Sequence, residues 1–405
     1  MEKNKKKILI FLTRVPYPPV DGTRFKIFNN VIQGLKPDFD LEFCIVTDDK
    51  VVDSQIEYLE NNFGKLHLFL YPRWRFYWNA IKFILSSLPM QAGYYYFREV
   101  NKWFIKNEKY YDGIYIHTLR LARYVEKAVA VVNNKILLDF NDAISLNYKE
   151  GKKFASLFWR LVYSLEEGKI RRYETRLLGE FKYFNVASGR DRNYLLNNYS
   201  KSGFNDGFVF ENIKHGVDSN VFRYSWNKRK DSLVFMGNLK YPPNRDAVDN
   251  FLGKLWPDIR REMPQLKFIV IGRKDGLNFV EREGVEFTGF VDDPYKIISE
   301  SGVFVAPLRF GAGTPTKILE AMAIGIPVIT TPLGVLGIDG VKNDKEIIVK
   351  TLDDVGLWAS VIKSLLENKK LAEEIGDNGK KFVFSNYRDE SSREMFRDMF
   401  KKIIG

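Results

Sequence analysis

Short apolar runs alternate with longer amphipathic segments along nearly the whole chain. Runs at 7–12, 41–47, 65–71, 113–117, 135–140 and 183–188 read as buried strands in the first half, with helical patterns in most gaps. Residues 72–110 form a long insertion before the fourth run. The second half repeats the plan at 233–237, 267–272, 285–290, 302–308, 326–332 and 346–350. Continuous apolar strands separated by helices predict two α/β units with parallel, doubly covered sheets. The boundaries expected are 1–216 and 217–386, joined through the aperiodic stretch from Gly216 to Lys230. A last helical pattern, 387–405, is expected to cross back onto the first unit.

The length of 405 residues exceeds one core and fits two domains. One cysteine, Cys44, sits in an apolar run and excludes a disulfide framework or a cysteine zinc site; His67, His117 and His215 show no metal-ligand spacing. No window approaches 18 uninterrupted apolar residues, and the five-residue run after Lys3–Lys7 reads as a first strand, so a cytoplasmic protein is expected.

The net charge of +12 changes the picture by pointing to an anionic partner. Two stretches concentrate the signal. From Arg73 to Phe104, Arg73, Arg75 and Lys82 interleave with Trp74, Trp78, Tyr94–Tyr96 and Trp103. From Lys152 to Leu178, helical spacing groups Phe154, Leu157, Phe158, Leu161 and Leu165 on one face beside Lys152, Lys153, Arg160 and Lys169. Such faces either close a core or lie on an anionic membrane from the inner side.

Ligands of open parallel sheets bind in loops beyond the carboxyl ends of strands. The richest such loop follows the strand near 305: Arg309-Phe310-Gly311-Ala312-Gly313-Thr314-Pro315-Thr316-Lys317-Ile318-Leu319-Glu320. Thr314 reads as the helix N-cap and Pro315 as the first helical residue. Gly311 and Gly313 permit close approach of backbone to a ligand, and the helix start supplies free N–H groups and a positive dipole end. Lys317 adds a full charge in the first turn. Glu320, a turn further on, suits a bidentate bond to a vicinal diol such as ribose. An ordinary βαβ turn with a solvent-facing glutamate is the simpler alternative.

Around these residues the chain resembles glycosyltransferase family 4, retaining enzymes of the GT-B fold. The resemblance is carried by Lys317–Pro327 (KILEAMAIGIP), Leu233–Val248 (LVFMGNLKYPPNRDAV), Phe268–Arg273 (FIVIGR) and Arg14–Thr23 (RVPYPPVDGT), and is nearest to a bacterial surface-polysaccharide branch. It implies two Rossmann-like domains with parallel sheets facing across a cleft, an N-terminal acceptor domain and a C-terminal nucleotide-sugar domain. It further implies His117 near the donor sugar, Gly22 in the phosphate- and acceptor-facing loop, and Val291 against the base. Glu320 matches the second glutamate of the family's paired motif, with Gly313, Thr314 and Thr316 in the same donor loop. Three departures stand out: the first motif glutamate falls on Ala312, and the usual diphosphate-gripping arginine and lysine fall on Asn238 and Asn244. Charge compensation then rests on Lys317, with Lys240, Arg245 or Arg309 as helpers.

The expected activity is transfer of a sugar from a nucleoside diphosphate to an oligosaccharide or lipid-linked hydroxyl, retaining and without metal or other cofactor. No Asp-x-Asp sequence stands in a suitable loop. A nucleotide-sugar epimerase on the same scaffold is the alternative enzyme. A basic nucleic-acid-binding module is the non-enzymatic one, and no nucleic-acid motif supports it.

Overall fold

A computed structural model describes residues 5–405 except 20, 21, 127–132, 154, 203–206, 228–230, 275, 278, 280, 281 and 312, and the side chain of Asn133. Two compact units result: residues 1–216 with 389–405, and residues 217–388. The Lys228–Lys230 part of the expected linker, and the positions of Ala312 and Phe154, lie outside the described residues.

The first unit holds a seven-stranded parallel sheet of β1 (Lys6–Leu12), β2 (Phe39–Thr47), β3 (Leu66–Leu70), β4 (Gly113–His117), β5 (Ile136–Asn141), β6 (Tyr183–Val186) and β7 (Val209–Glu211). The order is β3-β2-β1-β4-β5-β6-β7. Side chains alternate faces along β1, so Leu9 and Phe11 enter one core and Ile8, Ile10 and Leu12 the other. Both faces being covered explains why the strand reads as an unbroken apolar run. The edge strand β7 has no counterpart among the expected strands, and β6 ends at Val186 rather than at 188.

The helix Asp389–Ile404 completes this unit. Phe396, Met399, Phe400 and Ile403 enter the core shared by Ile8 and Ile10, and each such side chain stabilises by about 1.5–3 kcal/mol. Gly113 makes room for it: a Cβ there would stand 3.0 Å from the Phe400 ring. Arg393 and Arg397 donate to the carbonyls of Asn29 and Gly34 at 2.8 and 3.1 Å.

The second unit holds β8 (Ser232–Met236), β9 (Lys267–Ile271), β10 (Val285–Gly289), β11 (Val303–Ala306), β12 (Val328–Thr330) and β13 (Ile348–Val349). They too are parallel, in the order β10-β9-β8-β11-β12-β13. The chain builds outward from β8 to β10, then returns to place β11 on the other side of β8. That reversal is the switch point at which loops diverge and leave a crevice.

Candidate active site

At the switch point of the second unit, the loop after β8 and the loop after β11 lie side by side. The helix Thr316–Ile324 follows the second loop. Its N-cap is Pro315, which offers no side-chain oxygen; the helix therefore starts one residue later than the Thr314–Pro315 reading placed it. Because Thr314 does not cap, its hydroxyl oxygen is buried with no partner among the described residues. Gly313 adopts φ +72, a left-handed conformation open chiefly to glycine, and turns the chain into the helix. Gly325 at φ +91 ends it, releasing the chain into β12.

Lys317 occupies the first turn and points back between the two loops. Its Nζ donates to Asn244 Oδ1 and lies 4.7 Å from the centre of the Phe235 ring. Asn244 Nδ2 in turn donates to the Asn238 carbonyl at 2.9 Å. Gly237 is the necessary gap here, because a Cβ would fall 2.7 Å from Asn244 Nδ2 and 2.9 Å from Lys317 Nζ. The two asparagines thus form a neutral bracket that aims the lysine. Burial lowers the Lys317 amine to about 7, and only Glu320 opposes that shift. Such a lysine is poised to gain a proton when an anion arrives.

Glu320, one turn on, is pushed up to about 7 by burial; Lys317 opposes the rise and Asp218 adds to it. Its carboxylate makes no hydrogen bond to a described residue, leaving it free to accept from a ligand. The Tyr295 hydroxyl nearby is held far above its ordinary range, by burial first and then by Glu320 and Asp218. The first-turn N–H groups, Lys317 and Glu320 therefore present, within one helical turn, positive charge followed by a carboxylate with open acceptor capacity.

The flanking cations are differently placed. Arg309 binds both Asp246 oxygens with one guanidinium edge, Nε donating to Oδ2 at 2.8 Å and Nη2 to Oδ1. Arg245 pairs with Asp249 at 3.5 Å and stays half exposed. Lys240 is exposed, its backbone N–H held by Asn238 Oδ1 at 3.0 Å. Thr316 opens the helix, half-buried. Val291 packs against the core of the unit just after β10, and beside it the exposed Phe290 ring carries the Arg273 guanidinium at 4.8 Å. Sequence reasoning missed that flat cation–aromatic pair, together with Tyr295 and Asp218.

The first unit carries its own polar cluster, across β4, β5 and β6, which Lys26 reaches from the segment after β1. His117 closes β4, buried, with Nδ1 3.3 Å from the Tyr115 hydroxyl and 4.0 Å from Asp139 Oδ2. Tyr115 donates to Asp139 at 2.5 Å, Asn185 donates to its other oxygen at 3.0 Å, and Lys26 pairs with it at 3.0 Å. Lys26, Asp139 and Asn185 are all buried. Burial drives His117 down to about 3, so its imidazole is neutral near pH 7. Burial also lowers His215; the Lys26 charge adds to the fall and Asp139 opposes it. Gly22 begins the short helix Gly22–Phe25, exposed, with open space where a Cβ would stand. Lys26, Asp139 and Asn185 were not singled out from the sequence.

Comparison with known proteins bears on this arrangement. Residues 230–368 match the family model described as glycosyl transferases group 1. An uncharacterized 44.6 kDa protein in the cps region of Klebsiella pneumoniae is 22% identical, covering 98% of this chain and 99% of its own length. The capsular polysaccharide biosynthesis glycosyltransferase CapM of Staphylococcus aureus is 31% identical over 50% of this chain and 54% of its own. The crystal structure of Anabaena HepE in complex with UDP and glucose superposes with a TM-score of 0.65 at 13% identity, covering 98% and 99% of the two chains. The two α/β units are those of the GT-B fold. The chain is a glycosyltransferase whose second unit carries the group 1 glycosyl transferase domain.

Proposed function

We propose that the enzyme takes a sugar from a nucleoside diphosphate sugar and passes it to a hydroxyl of a growing surface polysaccharide or its lipid-linked precursor. The carrying observation is the turn from Gly313 to Glu320 at the switch point of the second unit. There the diphosphate lies against the helix start and Lys317, and the ribose hydroxyls bond to Glu320. Gly313, Thr314 and Thr316 line the approach, Thr314 with an unused hydroxyl. Val291 and Phe290 mark the base end. The capsular role of CapM and the cps-region relative support a polysaccharide acceptor, and the UDP and glucose bound by HepE support the donor class.

Transfer breaks the bond between the anomeric carbon and the diphosphate oxygen, so charge builds on that oxygen. Preorganised N–H dipoles and a lysine that takes up a proton on binding stabilise this charge in a partly dehydrated site. On this reading the leaving group needs no metal ion, and Lys240, Arg245 and Arg309 act at most from the rim. Transfer proceeds with retention, the acceptor being held by the first unit and its neutral His117 bonding to a sugar hydroxyl.

A thermal-shift panel of UDP, GDP, dTDP and ADP tests the donor class. A nucleotide at 100 times its dissociation constant adds about 2.7 kcal/mol, enough to raise the melting temperature by several degrees. One nucleotide should stand out. No shift with any of the four at millimolar concentration would remove the proposal.

A further inference from the structure

The helix Leu157–Glu180 begins with its polarity inside out. Leu157, Phe158, Leu161 and Leu165 are 85%, 68%, 60% and 59% exposed. Glu166, in contrast, is buried, accepting from the Met90 backbone at 2.6 Å and from Lys169 at 3.2 Å. A surface helix ordinarily turns its apolar stripe to the core. Here the acid faces inward and the leucines face out.

A second apolar set adjoins it. The helix Arg73–Ile81 exposes Trp74, Trp78 and Ile81, and the turn that follows leaves Leu85 fully exposed. That turn is fastened to the first set: Lys169 Nζ donates to the Ile84 carbonyl at 2.7 Å. Lys169 continues the four-residue row Leu157, Leu161, Leu165, whose members share a helix side from one turn to the next. The Arg123 guanidinium lies 4.5 Å over the Phe83 ring and holds the turn from behind. The two sets therefore form one surface of the first unit, far richer in large apolar groups than scattered surface residues would be.

Charge selects the occupant. No aspartate or glutamate occurs from 61 to 98 or from 151 to 165, while Arg73, Lys82, Lys153 and Arg160 are exposed within those stretches. Arg73 also meets Asp48 at 3.4 Å, whereas Lys82, Lys153 and Arg160 edge the face without an acidic partner among the described residues. An apolar face with such a rim fits an anionic bilayer, with lysine and arginine at phosphate level and tryptophan at the headgroup boundary. A second copy of the same face would meet its own positive rim. We infer that this face docks the enzyme peripherally on an anionic lipid surface, Leu85 and Leu157–Phe158 entering the acyl region. Among the described residues no helix is long and apolar enough to cross a membrane, so the attachment is reversible. This surface exists whatever the donor, and its test does not depend on transferase activity.

Co-sedimentation of the full chain with phosphatidylcholine vesicles, with and without phosphatidylglycerol, reads the docking. Each basic residue near an anionic surface multiplies partitioning about fivefold, so the anionic vesicles should bind at least about tenfold more protein and lose it as salt rises. Leu157→Ser/Phe158→Ser/Leu161→Ser should lower partitioning about tenfold or more while melting as the wild type does, these side chains being exposed. Leu85→Ser/Trp78→Ser should act likewise from the second set. Wild-type protein that stays in the supernatant with both vesicles at low salt overturns the inference. So does a triple variant that partitions as the wild type, or one that merely dissolves a wild-type dimer seen by sedimentation equilibrium.

Discussion

Replacing Glu320 by glutamine separates what that carboxylate costs the fold from what it gives the ligand. Burial lifts the carboxyl from 4.5 to about 7. Its proton is held more tightly in the fold than in the unfolded chain, so ionising it lowers stability. The cost is absent below about pH 4.5, grows between 4.5 and 7, and is complete above 7. A rise of that size corresponds to about 3 kcal/mol at most. The side chain is half-buried and solvent screens part of the penalty, which leaves about 1–2 kcal/mol. Glu320→Gln keeps the shape, removes the charge and breaks no hydrogen bond to a described residue, so it should stabilise the second unit at pH 8 by that amount. For a unit of this size that is about 2–8 °C. At pH 4.5 the difference should vanish.

Ligand binding should move the opposite way. A glutamine offers one acceptor oxygen without charge where the carboxylate offers two, and losing charge-assisted bonds costs about 1.5–3 kcal/mol, or about 10- to 150-fold in affinity. Differential scanning fluorimetry between pH 4.5 and 8.5, paired with calorimetric titration of the nucleotide chosen by the panel, measures both arms. A variant that melts lower at pH 8, or one that binds nucleotide with the wild-type constant, refutes the reasoning.

Two further outcomes follow from the same groups. If the helix start and Lys317 stabilise the leaving diphosphate, turnover persists in excess EDTA; complete loss that added metal restores would sink the metal-free route. In the first unit, Lys26→Met leaves the Asp139 carboxylate buried without its cation, which costs about 3–5 kcal/mol. Lys26→Met/Asp139→Asn should recover most of that in urea unfolding, and a single variant costing under about 1 kcal/mol would show that the pair is not the anchor it looks to be.

Much of the architecture was legible because central parallel strands are covered on both faces and so read as continuous apolar runs. The edge strand β7 escaped because three residues, Val209-Phe210-Glu211, carry too little period to register. The turn after β11 was legible for a different reason: a glycine at positive φ and a helix start beside proline are backbone features that residue type announces, although the cap fell on Pro315 rather than Thr314. Asp139 offered a signal that went unused, a charge inside the apolar run Ile136–Phe140. What the sequence could not supply was its partner, since Lys26 stands on a different element and meets it only through strand order.

The outward leucines mark a deeper limit. Helical spacing says that Leu157, Leu161 and Leu165 share a side, but a stripe looks the same whether it turns inward or outward. The deciding contacts reach other segments: the Met90 backbone N–H donates to the Glu166 carboxylate, and Lys169, paired with Glu166 on the same helix, donates to the Ile84 carbonyl. Those bonds fix the rotation of the helix about its own axis, and with Glu166 turned in, the leucines have nowhere to go but out. Amphipathicity therefore names the face, while the buried acid and its partners orient it.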